Sequence, residues 1–127
     1  MSVHLDGTDT VATKVVGGAT DLTGKEGYCA VLSADKIVLS SAVTDSPAFV
    51  ILAGGAVGAD ATIGMGICRV WISEAVTAVG QALRAHTDGT WQLANATSDE
   101  VTAMALEVSA INTFCRAKVF GQNIKTI

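Results

Sequence analysis

The chain has 127 residues, 50% of them hydrophobic and only 5% aromatic, with a formal net charge of −4 and a sequence pI near 4.9. A single domain of this length buries roughly two-thirds of the surface its unfolded chain exposes, and here it must fill that core with Ala, Val, Ile and Leu. The acid excess, and the scatter of the eight Lys and Arg residues along the chain, exclude a nucleic-acid binder, which masses its cations against phosphates.

Residues 1–24 differ from the rest, with Thr8, Thr10, Thr13, Thr20 and Thr23 among Gly7, Gly17, Gly18 and Gly24. Two readings are open for them: an extended arm that orders on a partner, or a first edge strand of the domain. The domain itself is expected over residues 25–127. From Gly27 the pattern is β. "YCAVL" and "KIVLS" flank Ser33-Ala34-Asp35 and read as a hairpin. A polar turn, "SAVTDSP", an apolar strand, "AFVILA", and a strand beginning Cys-Arg, "CRVWIS" from Cys68, follow in turn.

The same order then returns. "ALRAH" and "TWQLA" flank Thr87-Asp88-Gly89, where Asp-Gly predicts a type I′ hairpin turn. "NATSDE", "TAMALEV" and "CRAKVF" from Cys115 complete the second copy. With Gly27 set over Gly80, Asp35 falls on Asp88. Allowing one extra residue at Gly89, Leu39, Ala42 and Asp45 fall on Leu93, Ala96 and Asp99. Residues 97–108 carry both a helical signal (Thr97 with Glu100, then Val101, Met104 and Val108) and a strand alternation (Met104, Leu106, Val108). The repeat favours the strand. The prediction is an all-β fold, a small compact barrel or sandwich built of two similar hairpin-containing halves, which closes or covers its strand edges.

Charged residues make up 16% of the chain, below the roughly 25% of a typical soluble domain, and the mean hydropathy is +0.46. Part of the surface is therefore expected to meet another chain. A membrane span is not expected, since the uncharged stretch between Asp45 and Asp60 is too short and holds three glycines. No basic segment precedes an apolar run at the N-terminus, so synthesis in a cytoplasm is expected. Cys29, Cys68 and Cys115 are odd in number and widely spaced, and read as small buried hydrophobes.

No catalytic pattern emerges. His86 and Asp88 adjoin a turn, and Asp88 reads as the turn residue rather than a triad member. "GGAVGAD" at Gly54–Asp60 lacks the Lys-Ser/Thr of a phosphate loop, and "GMGICR" at Gly64–Arg69 lacks the third glycine of a dinucleotide fingerprint. With two histidines and no close cysteine pair, no zinc spacing can be written. No enzyme activity and no cofactor are expected. Trp71 is a candidate for an oligomer interface, and Trp91 for a cross-strand partner in its own hairpin.

The order of turns and strands resembles the capsid decoration (cement) proteins of tailed bacteriophages. The resemblance rests on Asp21–Gly24, Gly27, Val43–Pro47, Gly54–Gly58, Cys68–Ile72, Gly80–Gly89 and Ala105–Glu107, and covers residues 21 to 120. It implies a non-enzymatic, β-tulip-like domain on the capsid exterior, made in the host bacterial cytoplasm. Such a protein would bind the major capsid protein and assemble as a homo-oligomer, a trimer above all. It also implies that an N-terminal arm touches the shell, with Val3, Leu5, Val11 and Val15 as contacts. The alternative function is a virion-displayed module that binds a host surface or glycan.

Overall fold

A computed structural model describes residues 4–15, 21–33, 36–43, 49–95, 99–121 and 125–126. The strands are β1 (His4–Val15), β2 (Cys29–Ser33), β3 (Lys36–Leu39), β4 (Phe49–Ala53), β5 (Asp60–Ile72), β6 (Ala82–Ala85), β7 (Trp91–Leu93), β8 (Glu100–Val101), β9 (Ala103–Ala105), β10 (Thr113–Val119) and β11 (Lys125–Thr126). Among the described residues there is no helix, and so none long and apolar enough to cross a membrane. The fold is all-β, as the alternating apolar runs predict. The contested segment is strand at Glu100–Val101 and Ala103–Ala105; Thr97 lies outside the described residues.

Strands β5, β10, β9, β6 and β7 close a five-stranded barrel. The circuit runs through antiparallel pairs and shuts with a parallel contact, Ile72 against Trp91. Its interior holds Val70, Ile72, Leu83, Trp91, Cys68, Cys115 and small alanines, all buried. Beside it, β3, β2 and β4 extend the sheet from β5 over a second core of Leu22, Ala30, Ile37, Phe49, Ile51, Ala61 and Ile63. The long β5 is thus shared: its first half covers one core and its second half the other.

Residues 1–24 were open between arm and strand. Over His4–Val15 they pair antiparallel with β5, from Val15↔Asp60 to His4↔Cys68. A register shift falls between His4 and Thr8, where Gly7 has φ 99° and lies against the Ile67 side chain.

The two copies of the repeat are structural equivalents. In the first, β2 pairs β3 and β4, and β4 pairs β5; in the second, β6 pairs β7 and β9, and β9 pairs β10. Gly27 and Gly80 both have positive φ, 87° and 92°. Gly27 N–H donates to Ile51 O, and Ile51 N–H to Tyr28 O; Gly80 N–H donates to Ala105 O, and Ala105 N–H to Gln81 O. Ile63 of β5 then lies 12 positions after its partner Ile51, and Ala117 of β10 lies 12 positions after its partner Ala105.

Two expectations need correction. The strands that begin Cys-Arg do not superpose. The common spacing sets Ala61, not Cys68, over Cys115, and the two motifs instead face each other, Cys68 opposite Ala117 and Arg69 opposite Arg116. The β6–β7 turn is also not type I′, which needs two positive φ values. His86 pairs with Thr90 around three loop residues, and only Gly89, at 86°, has positive φ. This is the type I turn followed by a left-handed glycine that three-residue hairpins use. The first copy joins Ser33 to Lys36 with one residue fewer, so the insertion does sit in the turn, at its glycine.

Candidate functional site

Where the halves meet, β5 and β10 form a ladder with a dry side and a wet side. Cys68, Val70 and Ile72 of β5, and Cys115, Ala117 and Val119 of β10, turn into the barrel. Period-2 alternation then sends Ile67, Arg69, Trp71, Phe114, Arg116 and Lys118 outward. Register sets Trp71 opposite Phe114, Arg69 opposite Arg116, and Ile67 opposite Lys118. One face therefore carries an aromatic rung, a doubly cationic rung and a mixed rung.

The aromatic rung is a rigid cluster. Trp71 and Phe114 meet edge to face, with centroids 5.0 Å apart and planes at 82°, a geometry worth about 0.5–1.5 kcal/mol beyond burial. Tyr28 lies parallel to Trp71 at 6.3 Å, and Lys25 Nζ sits 4.8 Å over the Tyr28 ring. Gly27 permits this closeness, since a Cβ there would fall 2.7 Å from the Phe114 ring. Its carbonyl accepts from Trp71 N–H at 2.8 Å and from Trp91 Nε1 at 3.1 Å. One glycine thereby ties the outer aromatic cluster to the tryptophan at the barrel's centre.

The cationic rung has a defined register. Arg116 N–H donates to Glu107 Oε2 at 2.7 Å, and its carbonyl accepts from Leu106 N–H at 2.8 Å. Both backbone groups point toward the β9 side, so Arg116 and Arg69 form a non-hydrogen-bonded pair across the ladder. That class brings facing side chains closest. Lys118 is exposed two residues along. The fold gathers on one face three of the eight cations that are dispersed in sequence, Arg69, Arg116 and Lys118, while Lys25 lies over the Tyr28 ring.

Elsewhere the residues singled out by sequence serve the fold. His86 Nε2 is 3.9 Å from Asp88 Oδ1, but that oxygen accepts from Thr90 N–H at 3.0 Å and Thr90 Oγ1 at 2.6 Å. Partial burial pushes the Asp88 carboxyl up, but the Thr90 bonds and the nearby His86 outweigh it and hold it below its ordinary value. Ser40 Oγ donates to the His86 backbone carbonyl. Asp88 is thus the turn residue. Gly54 lets the chain pass Leu22, whose carbonyl oxygen would lie 2.1 Å from a Cβ. The three cysteines are buried and free, and burial pushes the Cys68 thiol up to about 12. Among the described residues, no group of His, Cys, Asp and Glu could hold a metal ion.

Of the proposed shell contacts, Leu5, Val11 and Val15 lie along β1, and Val3 is outside the described residues, as are Asp35 and the turn residues 44–48. Trp71 is part-buried within the aromatic rung, whereas Trp91 is fully buried and pairs with Ala85. Sequence reasoning missed the cationic face. The alternation around Arg69 and around Arg116 was visible, but not the register that opposes them.

No protein-family model matches the chain, and none of the curated proteins does. A crystal structure of the N base of the head fiber protein gp8.5 from bacteriophage phi29 is similar to it in fold, with a TM-score of 0.60. The match covers 90% of this chain and 98% of that one at 13% identity.

Proposed function

We propose that the chain is a structural protein of a phage virion, which binds the outside of the mature capsid and stabilises the lattice of major capsid proteins. The observation that carries this reading is the likeness, over nearly the whole of both chains, to the N base of a phage head fiber protein. The order of its turn motifs, which resembles that of capsid decoration proteins, supports it as well. So does the composition, which is short of charge for an isolated surface.

The action is mechanical and needs neither catalysis nor a cofactor. Each copy binds the mature shell but not looser arrangements of it, and this shifts the equilibrium toward the mature state by mass action. Trimeric assembly would make each attachment multivalent and strengthen a weak single contact. Leu5, Val11 and Val15 of β1 remain the proposed shell contacts on this strand, together with Val3, and Trp71 the proposed interface residue.

A second reading, a displayed module for a host glycan, is favoured by the parallel Tyr28 and Trp71 rings. Glycan binders stack sugars on such rings, but here Trp91 is withdrawn into the core and Phe114 covers one edge of Trp71. The capsid reading is tested by co-sedimenting the full chain with emptied, expanded heads. Saturable pelleting is expected; a chain that stays in the supernatant at every concentration contradicts the proposal.

A further inference from the structure

We infer that the two loops joined at Val76 and Ser109 form the face by which copies of this chain meet, with Val79, Val108 and Ile111 as the side chains that a second copy covers. The inference deepens the capsid reading only in its assembly of copies, and makes no use of the shell contact. The loops run from Ser73 to Gln81, between β5 and β6, and from Leu106 to Asn112, between β9 and β10. Val76 N–H donates to Ser109 O at 2.9 Å, and Ser109 N–H to Val76 O at 3.0 Å. Val76 is buried at this bridge, whereas Val79, Val108 and Ile111 are 67%, 59% and 58% exposed. Both loops, and the strands from which they spring, are described throughout.

The first half shows that the fold does not require these aliphatics. The spacing that sets Ile51 over Ala105 also sets Gly55 over Ser109, Val57 over Ile111 and Gly58 over Asn112. Leu22 N–H donates to Gly55 O at 2.9 Å, the counterpart of the Val76 bond, and Gly58 and Asn112 both have positive φ, 84° and 56°. Yet Gly54 stands at the place of Val108. The segment leading to Gly27 carries Lys25 and Glu26 where the one leading to Gly80 carries Ala78 and Val79. One pair of joined loops is thus built twice, and only the second is crowded with exposed branched side chains. That asymmetry marks a surface role for them.

A second copy is the occupant that the charge pattern favours. The chain carries net charge −4, so two copies repel each other overall. The sequence holds no charged residue from Ala75 to Leu83, nor from Val108 to Cys115. Glu107, beside the patch, holds a carboxylate oxygen on the Arg116 N–H at 2.7 Å. Like chains can therefore approach here without opposing their acid excess, and a rotation axis beside the loops brings the same aliphatics of each copy together. The face also adjoins the residue proposed for the interface: Trp71 stands two positions before the first loop, and its partner Phe114 two positions after the second. Three aliphatic side chains alone do not supply the roughly 800 Å² per partner of a standard stable interface. Association is thus expected to depend on concentration, and to tighten with salt as repulsion between the chains is screened.

The experiment is sedimentation velocity of the full chain over a concentration series, at low and high NaCl, beside co-sedimentation with emptied heads. The wild type is expected to associate, and more tightly at high salt. The double variant Val79→Asp/Ile111→Asp is expected to weaken self-association by about tenfold or more, because each contact would then bury carboxylates. The uncharged pair Val79→Ser/Ile111→Ser guards against a folding defect and should weaken it less, with an unchanged melting temperature. Val57→Asp, on the equivalent loop of the first half, is expected to associate as wild type. A wild type that stays monomeric at every concentration overturns the inference. So does association that the double variants retain, that Val57→Asp loses equally, or that salt weakens. A monomeric wild type whose head binding is lost in Val79→Asp/Ile111→Asp overturns it in favour of a shell surface at this patch. Head binding kept by a variant that no longer self-associates supports the inference and leaves the capsid reading intact. Self-association through the patch without any head binding supports the inference and overturns the capsid reading.

Discussion

The first half of the molecule, β2 to β5, and the second, β6 to β10, have one strand plan and fill it differently. The shared spacing places Ile37 of β3 at the position of Trp91 in β7, and both are fully buried. Their cross-strand partners differ in compensation: Leu32 is 42% exposed, whereas Ala85 is 1% exposed. The first half packs Leu22, Ile37, Ile51 and Ile63, with Phe49 and two alanines, under an open sheet. The second closes a barrel around a single indole, with Leu83 and Ala85 of β6 and Ala103 and Ala105 of β9 filling the rest. The halves then join through that indole, whose Nε1 donates to Gly27 of the first half. A repeated backbone plan therefore need not mean repeated packing, and the exposed face with an unusual charge pattern lies where the two plans meet.

Truncation should separate the halves most sharply. Trp91→Ala is expected to cost about 4 kcal/mol, since it empties the barrel and removes one of the two hydrogen bonds to the Gly27 carbonyl. Ile37→Ala should cost about 3 kcal/mol. Urea denaturation monitored by far-ultraviolet circular dichroism measures both. A larger loss at Ile37 would mean that the open sheet, not the barrel, holds the fold together.

The paired glycines give a finer contrast. Both have positive φ, but a Cβ on Gly80 meets nothing within 4 Å, whereas one on Gly27 meets Phe114 at 2.7 Å. Gly80→Ala should cost about 1 kcal/mol, the conformational term alone, and Gly27→Ala about 3 kcal/mol. Equal costs would show that the aromatic rung moves aside freely.

The smallest effect belongs to the turn that only the second half extends. The Asp88 carboxyl is held below its unfolded value of 3.8. The stability it contributes is therefore present above that value and lost as pH falls through the lower folded one. Acid denaturation curves of wild type and Asp88→Asn should run parallel above pH 3.8 and converge below it. A gap that persists unchanged below pH 3.8 would show that the Asp88 charge is not what steadies the turn.

Much of this architecture was legible in local sequence because its signals are local. The runs at Cys29–Ser33, Lys36–Leu39, Ala82–Ala85 and Trp91–Leu93 became hairpins, and the glycine insertion fell where a turn absorbs it. Matching letters misled where pairing is set over long range. Cys-Arg occurs near the end of each half, yet β5 begins eight residues before Cys68 and β10 only two before Cys115. Register is decided by which apolar face each strand buries against its partner. The same ignorance of register hid the cationic face, whose arginines come from strands distant in sequence. Residues 1–24 were undecidable because their Thr and Gly content suits a free segment and an edge strand alike, and only pairing with β5 distinguishes these.

The measurement that bears most directly on the central claim is the temperature at which emptied heads rupture, with and without saturating full-length protein. The account predicts a rise that saturates with occupancy. Saturating binding that leaves the rupture temperature unchanged would contradict it, and would point to a protein that is carried by the capsid without reinforcing it.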